Sequence, residues 1–435
     1  MEEEKAPAPN SYLWCPRVHF DPPPQRLYHL HRQFRLDGSG NNFFKGVKWS
    51  PDGSCFLTCN EDKTLRIFDL PSNALEVEAL DDLAAKTGMI LEFSWIMKVI
   101  GLILDPLVSS LTVSEGETVY DFCWYPHMVA TDLSTCVFAT TTRDHPVHLW
   151  DAATGNLRCS YRAYNAMDEV TAALSVAFNP AGNRLFCGYK RKIRIFDTST
   201  PGRHCEEHST LTSSKEGITG IVSCLAFSGH QTNLLAAGSY DRTIAVYNEG
   251  NMELLYVLQG HEGGLTQVQF SKDGNYLYSG ARKDPSICCW DVRYTTSLVY
   301  KLERAVTNTN QRIAFDIEPY AQHLGTGGED GDIRFYDLRT GEFTASIHAA
   351  SDTINGFSFH PTLPLAASTS GARRFSTSED KDDDEEPPQI LTELENCASV
   401  WRFSCSWEEI KYEDAVKVDE ETHERMNVDE STIVT

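Results

Sequence analysis

The chain has 435 residues, enough for two or three ordinary domains or for one large repeat architecture. A net charge of −24 argues, taken alone, against a nucleic-acid ligand, and 13 cysteines without a C-x-x-C pair argue against a zinc site and suit a reducing compartment. The charge is uneven: about −14 falls from Glu379 onward and about −2 in residues 1–5, which leaves about −8 on the body, where a local basic patch can form.

Residues 1–26 open with Met1-Glu2-Glu3-Glu4, which is not a signal peptide, and carry Pro22-Pro23-Pro24. They read as a flexible arm of a cytosolic or nuclear protein. Residues 45–69 (KGVKWSPDGSCFLTCNEDKTLRIFD) introduce a pattern that returns along the chain. An apolar strand meets a turn with Pro, Asp or Gly, and a second strand ends in small residues. A tight turn then leads to an alternating strand that closes on an aromatic. Further copies occupy residues 119–151, 173–197, 221–248, 265–291 and 311–337, and a seventh begins at Thr353 and resumes at Val400-Trp401. The closing aromatics are Phe68, Trp150, Phe196, Tyr247, Trp290, Tyr336 and Trp401, most of them roughly 43 to 51 residues apart, the period of a four-stranded blade.

Asp62, Asp144, Asp241, Asp284 and Asp330 each stand six residues before a closing aromatic. That place belongs to the tight turn between the second and third strands of a WD repeat, where the Asp organises a buried hydrogen-bond network. Gly260-His261 supplies the Gly-His element of the fifth copy, and the third copy has Lys190 where the Asp would stand. The expected fold is all-β: a seven-bladed WD-repeat β-propeller over residues 27–405. A ring must close, because an open blade leaves an unpaired edge, so residues from about 27 to 36 are expected to supply the last outer strand.

Two stretches break the pattern. The insert at 83–111 contains MILEFSWIMKVIGLIL, too short for a membrane span, and reads as an amphipathic partner helix or a poorly packed insert. Residues 373–395 read as a disordered acidic loop, with Ser376 and Thr377 placed for acidophilic phosphorylation, and residues 406–435 as an acidic disordered tail.

No Walker loop, H-E-x-x-H, G-x-S-x-G or zinc-spaced cluster is present, so no enzyme, cofactor or metal is expected. His145 and His148 read as packing or surface residues. Function in a propeller then lies on its loops. The turns between second and third strands share a face with the connections between blades. They carry Arg143, then Lys190, Arg191 and Lys192, then Arg242, then Arg282 and Lys283, while the first and sixth turn acidic. The connection into blade 6 adds Gln311 and Arg312, and the one into blade 3 adds Arg162 and Tyr164. Such an island can meet phosphates, with Arg also stacking on unpaired bases. Two alternatives stand beside it: an acidic protein partner, or pairing with nearby acids such as Asp168 and Glu169.

The phrases FFKGVKWSPDGSC, GETVYDFCWY, RAYNAMDEVTAA, LFCGYKRKIRIF, SGARKD with CWDVR, Thr309-Asn310-Gln311-Arg312-Ile313 and NGFSFHPTLPLAA resemble the telomerase Cajal body protein 1 family, from about Phe43 to Phe375 without the insert. The resemblance implies a non-enzymatic RNA-binding subunit of box H/ACA small Cajal-body ribonucleoproteins. It would read an element in the terminal loop of H/ACA RNAs, including telomerase RNA in some lineages. It also implies contact with H/ACA core proteins, delivery to nuclear Cajal bodies and folding by the cytosolic chaperonin; no membrane partner is expected, because the hydrophobic run is too short to span one. The hydrophobic insert departs from the polar linker expected there. A competing reading is a substrate receptor of a cullin-based ubiquitin ligase. Its loose W-D-x-R mark appears at Trp290-Asp291-Val292-Arg293 and, as a variant, at Tyr336-Asp337-Leu338-Arg339.

Overall fold

The computed structural model describes residues 12–30, 42–72, 74, 108–229, 233–294, 298–306, 309–373 and 396–411. Seven four-stranded antiparallel sheets follow one another as the blades of a propeller. Blade 1 runs from its inner strand Phe44–Trp49 through Cys55–Asn60 and Thr64–Asp69 to its outer strand Leu111–Ser114. Blades 2 to 6 repeat this order, with inner strands Val119–Trp124, Ser175–Phe178, Val222–Phe227, Leu265–Phe270 and Phe315–Ile317.

Blade 7 joins the two ends of the ring. Its inner three strands are Ile354–Phe359, Leu365–Ser370 and Ala398–Arg402, and Gln25–Leu30 pairs outside the last of them. The closing strand therefore starts slightly earlier than residues 27–36 suggest.

The second strand of each blade is sandwiched between neighbouring sheets. Cys55–Asn60 and Leu365–Ser370 are buried at every position, so they read as continuous runs of small and apolar residues, as strands covered on both faces do. Outer strands such as Phe343–His348 are mostly exposed. Six of the seven closing aromatics are buried, and Trp150 is partly so. Each packs in a cluster shared with the neighbouring blade: Phe68, stacked on Phe56 of its own blade with ring centroids 5.1 Å apart, sits with Leu27, Leu30 and Leu365 of blade 7.

Within the segments expected to be flexible arms, 1–26 and 406–435, the described residues include paired strands. Tyr12–His19 pairs antiparallel with Ser404–Lys411, from Tyr12↔Lys411 to His19↔Ser404. Neither segment has a local signal for this, because each strand's partner lies at the far end of the chain. The hydrophobic insert up to residue 107, the acidic loop from residue 374 to 395, and the tail from residue 412 lie outside the described residues.

Within blades, different side chains hold the same turn. In blade 5, His261 donates from Nδ1 to Asp284 at 2.8 Å and accepts at Nε2 from Ser279 Oγ at 2.8 Å, and Trp290 Nε1 donates to the same Ser279 oxygen at 2.8 Å. Burial opposes ionisation of Asp284, but bonds from His261 and from the Ser286 and Glu262 amides outweigh it and hold the carboxyl at about 2. Asp62 and Asp330 bind Arg66 and Arg334 on the following strand, and Asp241 accepts from the Thr219 and Gly220 amides.

Blade 2 corrects the reading of Asp144. Its side chain is 81% exposed, beside Arg143, and closes no buried network. Glu115 takes the role, accepting from Thr140 Oγ1 at 2.5 Å, Trp150 Nε1 at 2.8 Å and His148 Nδ1 at 2.9 Å. His148 is thus a network member as well as a packing residue. Removing a buried partner leaves the others unsatisfied, so Glu115→Ala and Asp284→Ala should each cost roughly 3 kcal/mol, whereas Asp144→Asn should stay within about 0.5 kcal/mol. Urea unfolding of the three variants checks this ranking.

His360 latches blade 7 to blade 1 on the opposite face. Its Nε2 donates to Gly53 O at 3.0 Å, and its Nδ1 accepts from the Thr362 and Leu363 amides at 3.1 and 2.9 Å. The ring is 2% exposed, and burial pulls its pKa from 6.5 to about 4. A folded pKa below the unfolded one gives stability that is full above about pH 6.5 and lost as pH falls through 4. The loss from this group should approach roughly 3 kcal/mol. Stability measured from pH 7 to 4 should show that loss in the parent and not in His360→Asn.

Candidate functional site: the mouth of the central channel

The inner strands enclose a channel of about 1200 Å³, lined inside by Lys48, Asp121, Gln267, Asp316 and Asn355 and at one mouth by Tyr120, Tyr240, Arg282, Gln311 and Arg312. That mouth is the face formed by the second-to-third-strand turns and the connections between blades. The interior charges are largely compensated. Lys48 lies 3.6 Å from Asp121, and Lys45 lies 2.8 Å from Glu61. Asp316 is bonded by Gln269, Ser358 and two backbone amides, although burial keeps its pKa above the ordinary aspartate value.

The mouth differs. Arg282, in the blade 5 turn, lies with its guanidinium carbon 4.2 Å from the centroid of the Tyr240 ring and donates from Nη2 to the Tyr240 hydroxyl. Arg312, from the connection into blade 6, donates to the same hydroxyl at 3.1 Å and to Ser223 O at 3.3 Å. Two guanidiniums therefore converge on one neutral oxygen, and among the described residues neither is bonded to a carboxylate. Arg282 Nε is buried without a partner.

Burial lowers the pKa of Arg282, and the charge of Arg312 adds to that. Burial also pulls against Arg312, but Tyr240 and Asp121 outweigh it and raise its pKa. Both stay cationic at neutral pH. Such a fork is short of an anion with several acceptor oxygens, and a phosphate has that shape and charge.

The remaining sequence candidates are divided by the structure. Lys190, Arg191, Arg242 and Lys283 are exposed on the same face. Arg191, Arg242 and Lys283 hold φ of 58°, 73° and 53°, left-handed corners that a non-glycine residue occupies at a cost. Lys192 instead pairs with Glu207, and Arg143 pairs with Asp144. Tyr164 has Arg203 over its ring at 4.4 Å, and Arg203 binds Asp168 at 2.7 Å. Arg162 is exposed beside it, and neither Arg162 nor Tyr164 lines the channel mouth. Gln311 Oε1 accepts from the Arg373 amide at 3.3 Å, and Arg373 also pairs with Glu61, so acids border the mouth on the blade 7 to blade 1 side.

Sequence reading missed Tyr120 and Tyr240. Tyr240 stands directly before the turn residue Asp241, and that adjacency was the available signal.

The W-D-x-R residues point elsewhere. Arg293 is bound to Asp291 at 2.7 Å and lies 5.5 Å from the Tyr276 ring centroid, while Arg339 is exposed. Among the described residues no cluster suits a metal ion, and no helix is long and apolar enough to cross a membrane.

The backbone at Gly263 sets Arg282 in place. A Cβ there would lie 1.7 Å from the Arg282 carbonyl oxygen. Gly263→Ala should therefore push the blade 5 turn outward and destabilise the protein by about 2 kcal/mol. A denaturation midpoint unchanged from the parent would contradict this packing.

The WD domain, G-beta repeat family matches residues 32–69, 207–248 and 252–291. Telomerase Cajal body protein 1 of Mesocricetus auratus is 40% identical over 398 residues, 89% of this chain and 69% of that protein. The Homo sapiens protein of the same name is 42% identical over 77% of this chain and 58% of its own length. The chain thus spans between about three-fifths and two-thirds of these relatives. Guanine nucleotide-binding protein negative regulator 1 of Schizosaccharomyces pombe is 29% identical over 83% of this chain and 88% of that protein. These likenesses agree with the WD-repeat propeller that the structure shows.

Proposed function

The chain belongs to the telomerase Cajal body protein 1 family, and on that premise we propose that it is an RNA-binding scaffold that carries H/ACA-type small RNAs to nuclear Cajal bodies. The observation that carries this reading is the pair Arg282 and Arg312 on Tyr240, two cations without a bonded carboxylate at an open mouth. Around that fork, Lys190, Arg191, Arg242 and Lys283 would meet further phosphates, and the ring of Tyr120 or Tyr240 would receive an unpaired base. H/ACA core proteins, and telomerase where its RNA is of this class, are the partners that follow from such a cargo. The cytosolic chaperonin is the folding partner that the family membership suggests. The name of the relatives supports the Cajal-body destination.

The test is binding of the purified chain to an H/ACA hairpin RNA across a salt series. Binding should depend on the terminal-loop sequence. Arg282→Gln and Arg312→Gln should each weaken it and reduce the salt slope by about 0.7, the value for one single-strand phosphate contact, and Lys283→Glu should do the same at the rim. Well-folded protein that binds no hairpin, or binds scrambled loops equally well, would sink the reading.

A further inference from the structure

Arg304 opens the connection from blade 5 to blade 6 and is 4% exposed. Its Nη2 donates to Ala281 O at 2.6 Å and its Nη1 to Ile313 O at 3.0 Å, while its Nε is buried without a partner. Burial lowers its pKa to about 10, so it remains charged at pH 7. Asp284 favours that charge through space, but its carboxylate is committed to His261.

Such burial is poor economy for stability alone. A guanidinium satisfied only by two carbonyls is costly to desolvate, and an apolar residue of similar volume would serve the core at least as well. The two carbonyls show what the charge does. Ala281 immediately precedes Arg282, and Ile313 immediately follows Arg312. One planar group therefore ties together the backbone on the near side of each arm of the fork. Those backbones belong to different blades, and 30 residues separate the two arms in sequence.

We infer that Arg304 is a positioning residue: its rigid guanidinium fixes the spacing of Arg282 and Arg312, so that both reach Tyr240 and can together hold one phosphate group. The ligand in this inference rests on the proposed RNA reading; the bracing of the two arms does not. Arg304 itself contacts no ligand. Lysine cannot replace it, because an ammonium lacks the planar pair of donors that spans two fixed carbonyls.

The experiment uses full-length Arg304→Met and Arg304→Lys, with folding confirmed by near-ultraviolet circular dichroism. The first readout needs no ligand. Hydrogen exchange should accelerate in both variants at the amides of residues 282–284 and 309–314 and stay at parent rates in blades 1 to 3. The second is affinity for the H/ACA hairpin. Each variant should bind about ten-fold more weakly, and Arg304→Met should add nothing further in an Arg282→Gln/Arg312→Gln background.

Unchanged exchange at those amides overturns the inference. So does parent affinity in Arg304→Lys, which would make the charge rather than the bridge the active feature, and so does an additive loss in the triple variant. If Arg304→Met does not fold, Arg304→Lys carries both readouts. A parent protein that binds no hairpin defeats the RNA reading instead, and the exchange result then decides the role of Arg304 by itself.

Discussion

A propeller pairs the inner strand of each blade on one edge only, which leaves a row of peptide groups facing the channel and the neighbouring blade. Buried peptide groups must find partners, and in this chain side chains on the inner strands supply them. Lys48 donates to Phe122 O, Asp121 accepts from the Val176 amide, and Ser175 donates to Val222 O. Ser223 donates to Leu265 O, Gln267 exchanges two bonds with Phe315, Asp316 accepts from the Phe359 amide, and Asn355 donates to Phe44 O. Each bond crosses from one blade to the next, and together they run once around the ring. The channel is polar for this reason. Its charged and amide side chains are occupied with backbone, which leaves the uncompensated charge at the mouth.

The same logic governs the loops of that face. A tight turn can hold a strained corner only where its neighbours fix it, and each blade does this with its own chemistry. Asp284 is locked by His261 in blade 5, Asp241 by the amides of Thr219 and Gly220 in blade 4, and Asp62 by Arg66 in blade 1. With the Asp engaged below, the residue at the left-handed corner turns to solvent. In blades 4 and 5 that residue is Arg242 or Lys283. Fold and surface chemistry are therefore separated by a single residue: the carboxylate belongs to the blade and the adjacent cation, Arg242 just after Asp241 or Lys283 just before Asp284, to the face.

The repeat was legible because its signals are local. An aromatic closing an alternating strand and an Asp six residues earlier both lie within one hairpin, so seven blades could be counted from spacing. Glu115 was not visible in that way, since it lies 35 residues before the Trp150 it binds. Yet it stands four residues before the inner strand at Val119, as His261 stands four before Leu265. Blade 2 has exchanged the parts, with the carboxylate in the connection and the imidazole of His148 on the strand. A search restricted to Gly-His misses such a swap. At the site, Arg282 and Arg312 were readable as bases, but their meeting on Tyr240 was not. Three blades' worth of chain contribute to that fork, and only closure of the ring brings them together. The pairing of Tyr12–His19 with Ser404–Lys411 was hidden for the same reason.

An acidic chain proposed to hold a polyanion raises a question of range. At physiological salt, exposed charges are screened beyond about 8 Å, so distant acids contribute little at the contact itself. The acidic ends of the sequence and the net charge of −24 act mainly on approach, where they disfavour loose association with any nucleic acid. The fork acts at contact, where partial burial strengthens each interaction with a phosphate. A duplex sliding over the surface would meet the repulsion without reaching a recessed pair of guanidiniums. A loop that presents a phosphate into the mouth would gain the attraction in full. On this argument the overall charge and the local charge have opposite signs because they do different tasks: one suppresses non-specific binding, and the other rewards a particular shape.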